Sequence, residues 1–421
     1  MSIVSGSPYS RLFLKLLGWL LGGVAVAFVA LLLNPEPIQQ SAKYDFQSEI
    51  KIGLLHSTTG TMAVSENPVI AGEILAVEEI NANGGIRLSG KSHKVVPVLR
   101  DGASDPSVFA LRAQELVEDE DLSVVFGGWT SSSRKAMLPV FERNDSLLFY
   151  PIQYEGGEQA EHVLYFGATP NQQAVPVLDW AFAQGVKDFF LIGSDYVYPR
   201  TVNRALKQEI ARRGGSVGGE LYLPLGARVS ADDITSISEG LPGGGMLINT
   251  VNGDSNESLF RGLNNAYLVP PNGFYTVSFS IDEAIIKQSG SQFFAGGYIS
   301  QGFFESLSSE EARHFVRRYK RRFGIDRAVS EPAAAGYTMV RSWADAVARA
   351  DSFRPKDVLN AIQSGTQPSP SGPIRVLANQ HVIKPMFLGQ VDAKGEVVIV
   401  KHFGERTPQP DWPQVQAALI Q

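Results

Sequence analysis

The chain of 421 residues contains no cysteine. That excludes disulfides, cysteine-ligated zinc, thiol catalysis and a lipid-modified N-terminal cysteine, and it leaves the redox compartment open. Histidine is also sparse: His56, His93, His162, His314, His381 and His402 are scattered with no pair at helical ligand spacing, so no metal is expected. A G-x-S-x-G elbow, a G-x-x-x-x-G-K-[ST] phosphate loop and an H-E-x-x-H pair are all missing. No catalytic residue and no cofactor is therefore expected. Net charge is -6, and no dense Lys/Arg stretch interleaved with aromatics stands out, which argues against a nucleic-acid partner.

What is present is a chain 44% hydrophobic and 19% charged, enough for two or three packed domains. Leu16 to Leu33 is an uncharged run at the lower edge of what crosses a hydrocarbon core of about 30 Å. Arg11 and Lys15 precede it, and Glu36 and Asp45 follow. By the positive-inside rule residues 1–11 stay cytoplasmic, residues 12–33 anchor the chain, and the remainder is exported. No clean A-x-A cleavage site follows the run, so an uncleaved anchor is expected, with a cleaved, soluble periplasmic chain as the alternative. Residues 34–49 are polar and proline-marked, as a linker would be.

From Ile50 the pattern alternates between short apolar strands and helices of about a dozen residues. Strands are expected near 51–55, 95–99, 124–126, 147–149, 189–192, 220–223, 246–248 and 274–277. Helices are expected near 68–83, 107–118, 131–143, 172–184, 200–213, 257–265, 332–349 and 355–363, and two antiparallel strands, 386–391 and 396–402, close the chain. Such alternation predicts parallel sheets, with ligand sites at the carboxyl ends of the strands. One sheet of this length would be unwieldy, so two α/β lobes are expected.

Polar clusters fall at those strand ends. They are His56 to Thr61, Gly127 to Lys135, Tyr150 to Gly156, Gly193 to Arg200 and Asn249 to Asn256. Hydroxyls and amides at the helix start around Thr130, Ser131 and Ser132 can donate to an oxygen. Glu155, Asp195, Asp254 and the hydroxyls of Tyr150 and Tyr198 can accept from N–H groups. This chemistry suits a small ligand bearing both oxygen and amino groups: urea, a small amide or an amino acid. Arg134, Lys135 and Arg200 read as solvated or inter-lobe helix residues.

These same strings carry a resemblance. His56-Ser57 with Gly60-Thr61-Met62, Glu78 to Asn81, Trp129-Thr130-Ser131 with Ser133 to Ala136, Tyr150-Pro151 with Gln153 to Gly156, Pro170 to Gln173 and Gly193 to Arg200 resemble the type I periplasmic-binding-protein receptors. Within that family they are most similar to the branch of urea-transporter substrate-binding proteins and short-chain-amide regulators. Asn249-Thr250 with Asn252 to Asn256 looks more like the urea side. Gly372 to Val376 and Asn379 to His381 are common to both.

The resemblance implies two Rossmann-like parallel-sheet lobes joined by a three-crossover hinge. Lobe one would comprise 50–167 plus 300–372, and lobe two 168–299 plus 373–421. It implies a ligand held in the cleft by Trp129, Thr130, Ser131, Ser132, Tyr150, Gln153, Tyr154 and Glu155 from one side, and by Asp195, Tyr196, Tyr198, Asn252 and Asp254 from the other. The implied partner is an inner-membrane ABC permease; a tethered sensor working through a membrane partner is the alternative.

Overall fold

A computed structural model describes Tyr44 and residues 46–412. The expected tail and membrane segment lie outside the described residues, as does most of the linker. Among the described residues no helix is long and apolar enough to cross a membrane.

Short apolar runs form the first sheet. Its strands are β1 (Ser48–His56), β2 (Ile86–Leu88), β3 (Lys91–Asp101), β4 (Val124–Gly127), β5 (Leu147–Tyr150) and β6 (Val163–Tyr165), in the order β2-β3-β1-β4-β5-β6. Neighbours are parallel except β2 and β3. β4 and β5 are buried along their whole length, as strands covered on both faces must be. Helices α1 (Ala63–Ala82), α2 (Pro106–Gln114) and α3 (Ser131–Arg143) make the connections.

The second sheet is built the same way and then extended. After α4 (Pro170–Gln173) and α5 (Val175–Ala183) come β7 (Asp188–Ser194), α6 (Val197–Arg212), β8 (Ser216–Leu223), α7 (Ala231–Gly240), β9 (Gly245–Thr250), α8 (Ser255–Asn265), β10 (Phe274–Ser278), α9 (Glu283–Ser289) and β11 (Tyr298–Gln301). The chain then forms α10 (Glu310–Phe323), α11 (Glu331–Ala350) and α12 (Pro355–Gln363), followed by β12 (Thr366–Gln367), β13 (Ile374–Val376), β14 (Val382–Val391) and β15 (Val397–Arg406). The strand order is β12-β13-β14-β11-β10-β9-β7-β8, with β15 on the other side of β14. β14 runs antiparallel to β11 and β15, so this sheet is mixed rather than wholly parallel.

Two departures from the expected helices and one unexpected helix have local reasons. The helix expected over 172–184 is two helices, because Pro176 has no N–H to give to the carbonyl of Gln172. α6 starts three residues early because Pro199 is tolerated in a first turn, where N–H groups have no intrahelical partner. α10 was not anticipated at all. Its sequence, Arg313-His314-Phe315-Val316-Arg317-Arg318-Tyr319-Lys320-Arg321-Arg322-Phe323, is a dense cationic stretch interleaved with aromatics, and it corrects the reading that the chain has none. Phe315, Tyr319 and Phe323 are buried, so the rings serve the core.

α11 returns to the first lobe and packs along α1. The two backbones come so close that a Cβ on Gly72 would lie 2.0 Å from the Ala333 carbonyl oxygen, and one on Gly336 would lie 2.4 Å from that of Val69. Only glycine fits either position. The chain thus passes three times between the lobes: after β6, after β11 and before β14. One buried ion pair ties all three passages. Lys384 Nζ donates to the Phe166 carbonyl at 2.9 Å and to Glu331 Oε1 at 3.2 Å, and that oxygen also accepts the Gly302 N–H at 2.9 Å. A cavity of about 30 Å³ adjoins the pair.

Candidate functional site

The loops after β4 and β5 converge on a buried arginine. Thr130 caps α3 by accepting the Ser133 N–H at 3.0 Å, and its hydroxyl pairs with that of Ser133 at 2.7 Å. One helical turn on, Arg134 is fully buried. Its Nε meets Glu158 Oε1 at 2.7 Å, and its terminal nitrogens reach Glu155 Oε1 at 3.3 Å, Glu158 Oε2 at 3.2 Å and Ser131 Oγ at 3.2 Å. The guanidinium lies 4.8 Å from the ring centroids of both Tyr150 and Tyr154. Burial would raise the Glu158 carboxyl, but Arg134 and Lys135 outweigh it and hold it down at about 2.

This geometry commits several of the expected ligand groups to the protein itself. Ser131 Oγ donates to Glu155, and the Tyr150 hydroxyl donates to the Trp129 carbonyl. The Tyr154 hydroxyl donates to the Glu158 backbone carbonyl at 3.0 Å and lies 2.6 Å from His381 Nε2. Arg134, expected on a solvated or inter-lobe helix face, is instead the buried centre of this cluster, whereas Lys135 is exposed and pairs with Glu158 at 2.9 Å. Ser132 is half-buried beside them.

Below the β1 end lies a second buried charged group. His56 Nε2 sits 2.9 Å from Glu73 Oε1, and Glu66 Oε2 accepts the Ser57 N–H at 2.7 Å. Burial disfavours the imidazolium, yet the carboxylates of Glu73 and Glu66 win and raise His56 to about 9.

Across the junction the second lobe differs. Trp129 Nε1 donates to Asn252 Oδ1 at 3.2 Å, both side chains buried, and Thr61 Oγ1 donates to Asp254. Asp254 is exposed at the rim. Asp195 is also exposed, with Arg200 Nε at 2.6 Å from its carboxylate. Of the two acidic acceptors expected of this lobe, Asp195 is exposed and paired with Arg200 of its own helix, while Asp254 is exposed and reaches across to Thr61 of the first lobe.

Tyr196 and Tyr198 do point inward. Tyr196 is half-buried, and its ring centroid lies 6.3 Å from that of Tyr198. The buried Tyr198 hydroxyl faces Ser280 of its own lobe and Gln153 of the other, and burial pushes its phenol well up. Ser280 Oγ is buried without a partner in full hydrogen-bonding geometry. Sequence reasoning missed Ser280. It lies just past the end of β10, so the strand-end rule applied to the other clusters would have found it.

Two cavities elsewhere, the one beside Lys384 and another of about 350 Å³ lined by Glu283, Lys320 and Lys394, touch neither Ser131, Glu155, Tyr198 nor Ser280.

Comparison with known proteins agrees with the architecture. The family profile described as "Periplasmic binding protein domain" matches residues 50–418. Among curated relatives, a segment is 32% identical over 131 residues to a limonene hydroxylase of Geobacillus stearothermophilus, covering 31% of this chain and 24% of that one. Another is 30% identical over 127 residues to Leu/Ile/Val-binding protein homolog 7 of Brucella melitensis biotype 1, covering 28% and 29%. The matches thus span about a quarter of each relative's length. Solved structures align over nearly the whole of their own length. A solute-binding protein of an ABC transporter from R. palustris, in complex with benzoate, gives a TM-score of 0.75 at 16% identity, covering 86% of this chain and 98% of that one. A branched-chain amino acid transporter substrate-binding protein from Streptococcus pneumoniae, in complex with isoleucine, gives 0.72 at 19% identity, covering 83% and 99%. At such identities the likeness is one of fold.

Proposed function

The chain belongs to the periplasmic binding protein family, a family of receptors rather than enzymes, and on that premise we propose that it is an extracytoplasmic solute receptor for urea or a short-chain amide. It closes its two lobes around the ligand, delivers it to an ABC permease, and is tethered to the inner membrane through residues 12–33.

The observation that carries the ligand reading is the charge state of the junction. Arg134 is paired with both Glu155 and Glu158, so among the described residues of this cluster its charge is already met. The groups gathered there are neutral: the Tyr198 hydroxyl faces Gln153 and Ser280, Tyr196 lies beside it, and Ser280 Oγ is buried without a partner in full hydrogen-bonding geometry. A buried polar group left unmatched costs about 1–3 kcal/mol, so a small neutral molecule with both N–H donors and an oxygen is favoured there. A carboxylate such as those of the benzoate and isoleucine in the structural relatives would meet only hydroxyls and helix-start amides here, with Arg134 already paired.

Urea offers four heavy atoms. At the ceiling of about -1.5 kcal/mol per atom it reaches roughly -6 kcal/mol, or tens of micromolar. Calorimetry and thermal shift on the purified chain with urea, acetamide, isoleucine and benzoate test this reading. Binding of urea or acetamide that weakens about five- to tenfold in Ser280→Ala, with the unliganded melting temperature unchanged, is expected. Stabilisation by isoleucine or benzoate and by neither amide would overturn the ligand class.

A further inference from the structure

The net-negative chain concentrates cations on one helix, α10. Its inner edge is spent on the fold. Arg318 pairs with Glu79 at 2.7 Å and Arg322 with Glu78 at 2.8 Å, both carboxylates on the last turns of α1. The outer face is not. Arg313, Arg317 and Arg321 repeat at four-residue spacing, all exposed, and their side chains have no ion-pair or hydrogen-bond partner among the described residues. Just past the helix end Ile325 projects into solvent, 75% exposed.

The position of this face matters as much as its charge. Tyr44, where the described chain begins, lies against Gly84, just beyond the C-terminal end of α1. Glu78 and Glu79 are within two helical turns of that point, so the basic end of α10 and the entry of the N-terminal segment share one pole of the first lobe. Forty-three residues precede Tyr44, including the apolar run Leu16 to Leu33.

We propose that this pole, through Arg313, Arg317, Arg321 and Ile325, docks on the anionic phospholipid surface of the membrane that holds the chain. The inference rests on the tethered reading of residues 12–33. Three arginines bind an anionic surface weakly, each contributing roughly fivefold. A tether supplies the missing affinity by making the encounter intramolecular. Long guanidinium side chains suit the headgroup layer, and an exposed isoleucine at the end of the row suits the boundary beneath it. The rest of the chain, net-negative without α10, is repelled by the same surface, so the contact also orients the lobes.

The absence of cysteine makes the test clean. Full-length chain carrying Ile325→Cys labelled with an environment-sensitive dye is reconstituted into phosphatidylcholine vesicles with or without phosphatidylglycerol. The expected result is a blue shift only with phosphatidylglycerol, lost near 0.5 M salt, where screening shortens to about 4–5 Å. Replacing all three arginines by glutamine should abolish the shift and leave ligand affinity unchanged. A dye that reports water in both kinds of vesicle, while the protein floats with them, overturns the docking and leaves the tether standing; an acidic protein would then be the better partner. Failure of the protein to float with either vesicle overturns the tether, and the docking with it.

Discussion

The two sides of the lobe junction handle charge in opposite ways. In the first lobe the ionisable groups at the strand ends are buried and locked to one another, Arg134 to Glu155 and Glu158, His56 to Glu66 and Glu73. In the second lobe Asp195 and Asp254 are exposed, the buried Asp282 is spent on capping α9 through the N–H groups of Ala284 and Ile285, and the Tyr198 hydroxyl faces across to Gln153. The first side is a finished surface whose shape is fixed by its own ion pairs. The second contributes the Tyr198 hydroxyl and Ser280 Oγ, the latter buried without a full partner. A receptor that works by closure needs that asymmetry, one rigid face and one face still short of partners.

The largest expected effect comes from breaking the finished side. Arg134→Met leaves two carboxylates buried beside aromatic rings with only the exposed Lys135 nearby, and it should cost about 3–5 kcal/mol in chemical denaturation. Arg200→Met, which frees the exposed Asp195 and removes a guanidinium 4.2 Å from the Tyr222 ring centroid, should change stability by about 0–1 kcal/mol. Equal losses in the two variants would erase the contrast.

The crossings come next. Lys384→Met leaves Glu331 buried with the Gly302 N–H alone, at an expected cost of about 3 kcal/mol. A Lys384→Met, Glu331→Leu double variant removes the stranded charge and should recover part of it. Because the pair joins all three passages, both variants should also shift the solution radius measured by small-angle scattering; an unchanged radius would confine the pair to a stabilising role.

Two histidines divide the pH dependence. His56 is raised to about 9 because Glu73 and Glu66 outweigh its burial, so its contribution is complete below the unfolded value of 6.5 and is lost as pH rises through 9. His381 is pushed down to about 4, chiefly by burial under Tyr154 and Tyr165, so the folded state resists a proton that the unfolded chain accepts. Stability should therefore also fall as pH drops from 6.5 toward 4. Each limb, roughly 2–3 kcal/mol, is read as the difference between the parent and its own histidine variant, because the buried Asp282, raised to about 6, acts with the opposite sign to His381 between pH 4 and 6. His56→Gln should flatten the alkaline limb and His381→Gln the acid one; a limb that survives its own substitution would reassign it.

Much of the fold was legible because its signals are local. α3 was read residue for residue from a hydroxyl cap and a following periodic run. The apolar strands were placed to within a few residues by their composition. α10 escaped because its inner face is marked by three aromatics spaced among cations, a pattern that reads as charge before it reads as a helix. Arg134 escaped for a different reason. Its counter-ions lie 21 and 24 residues away, and nothing local reveals that three elements close over it. Asp195 and Asp254 show what a strand end alone leaves open: both are exposed, yet only Asp254 bonds a residue of the other lobe. Proximity to a strand end places a residue near the junction, while only the backbone direction of the loop decides whether it faces in.

That last point yields the smallest effects and the sharpest discrimination. Asp195→Asn removes an exposed charge paired only with Arg200, and neither stability nor ligand affinity should move beyond about twofold. Asp254→Asn keeps the shape and weakens one rim contact to Thr61, so affinity should fall by no more than about fivefold, mainly through faster release. Trp129→Phe removes the buried contact to Asn252 and should cost more than either, about tenfold, with the unliganded stability little changed. If Asp195→Asn instead proves the most damaging of the three in calorimetry, the aspartate turns inward in the liganded state. The second lobe would then bring charge as well as hydroxyls to the ligand, and the asymmetry between the two faces would belong to the unliganded protein alone.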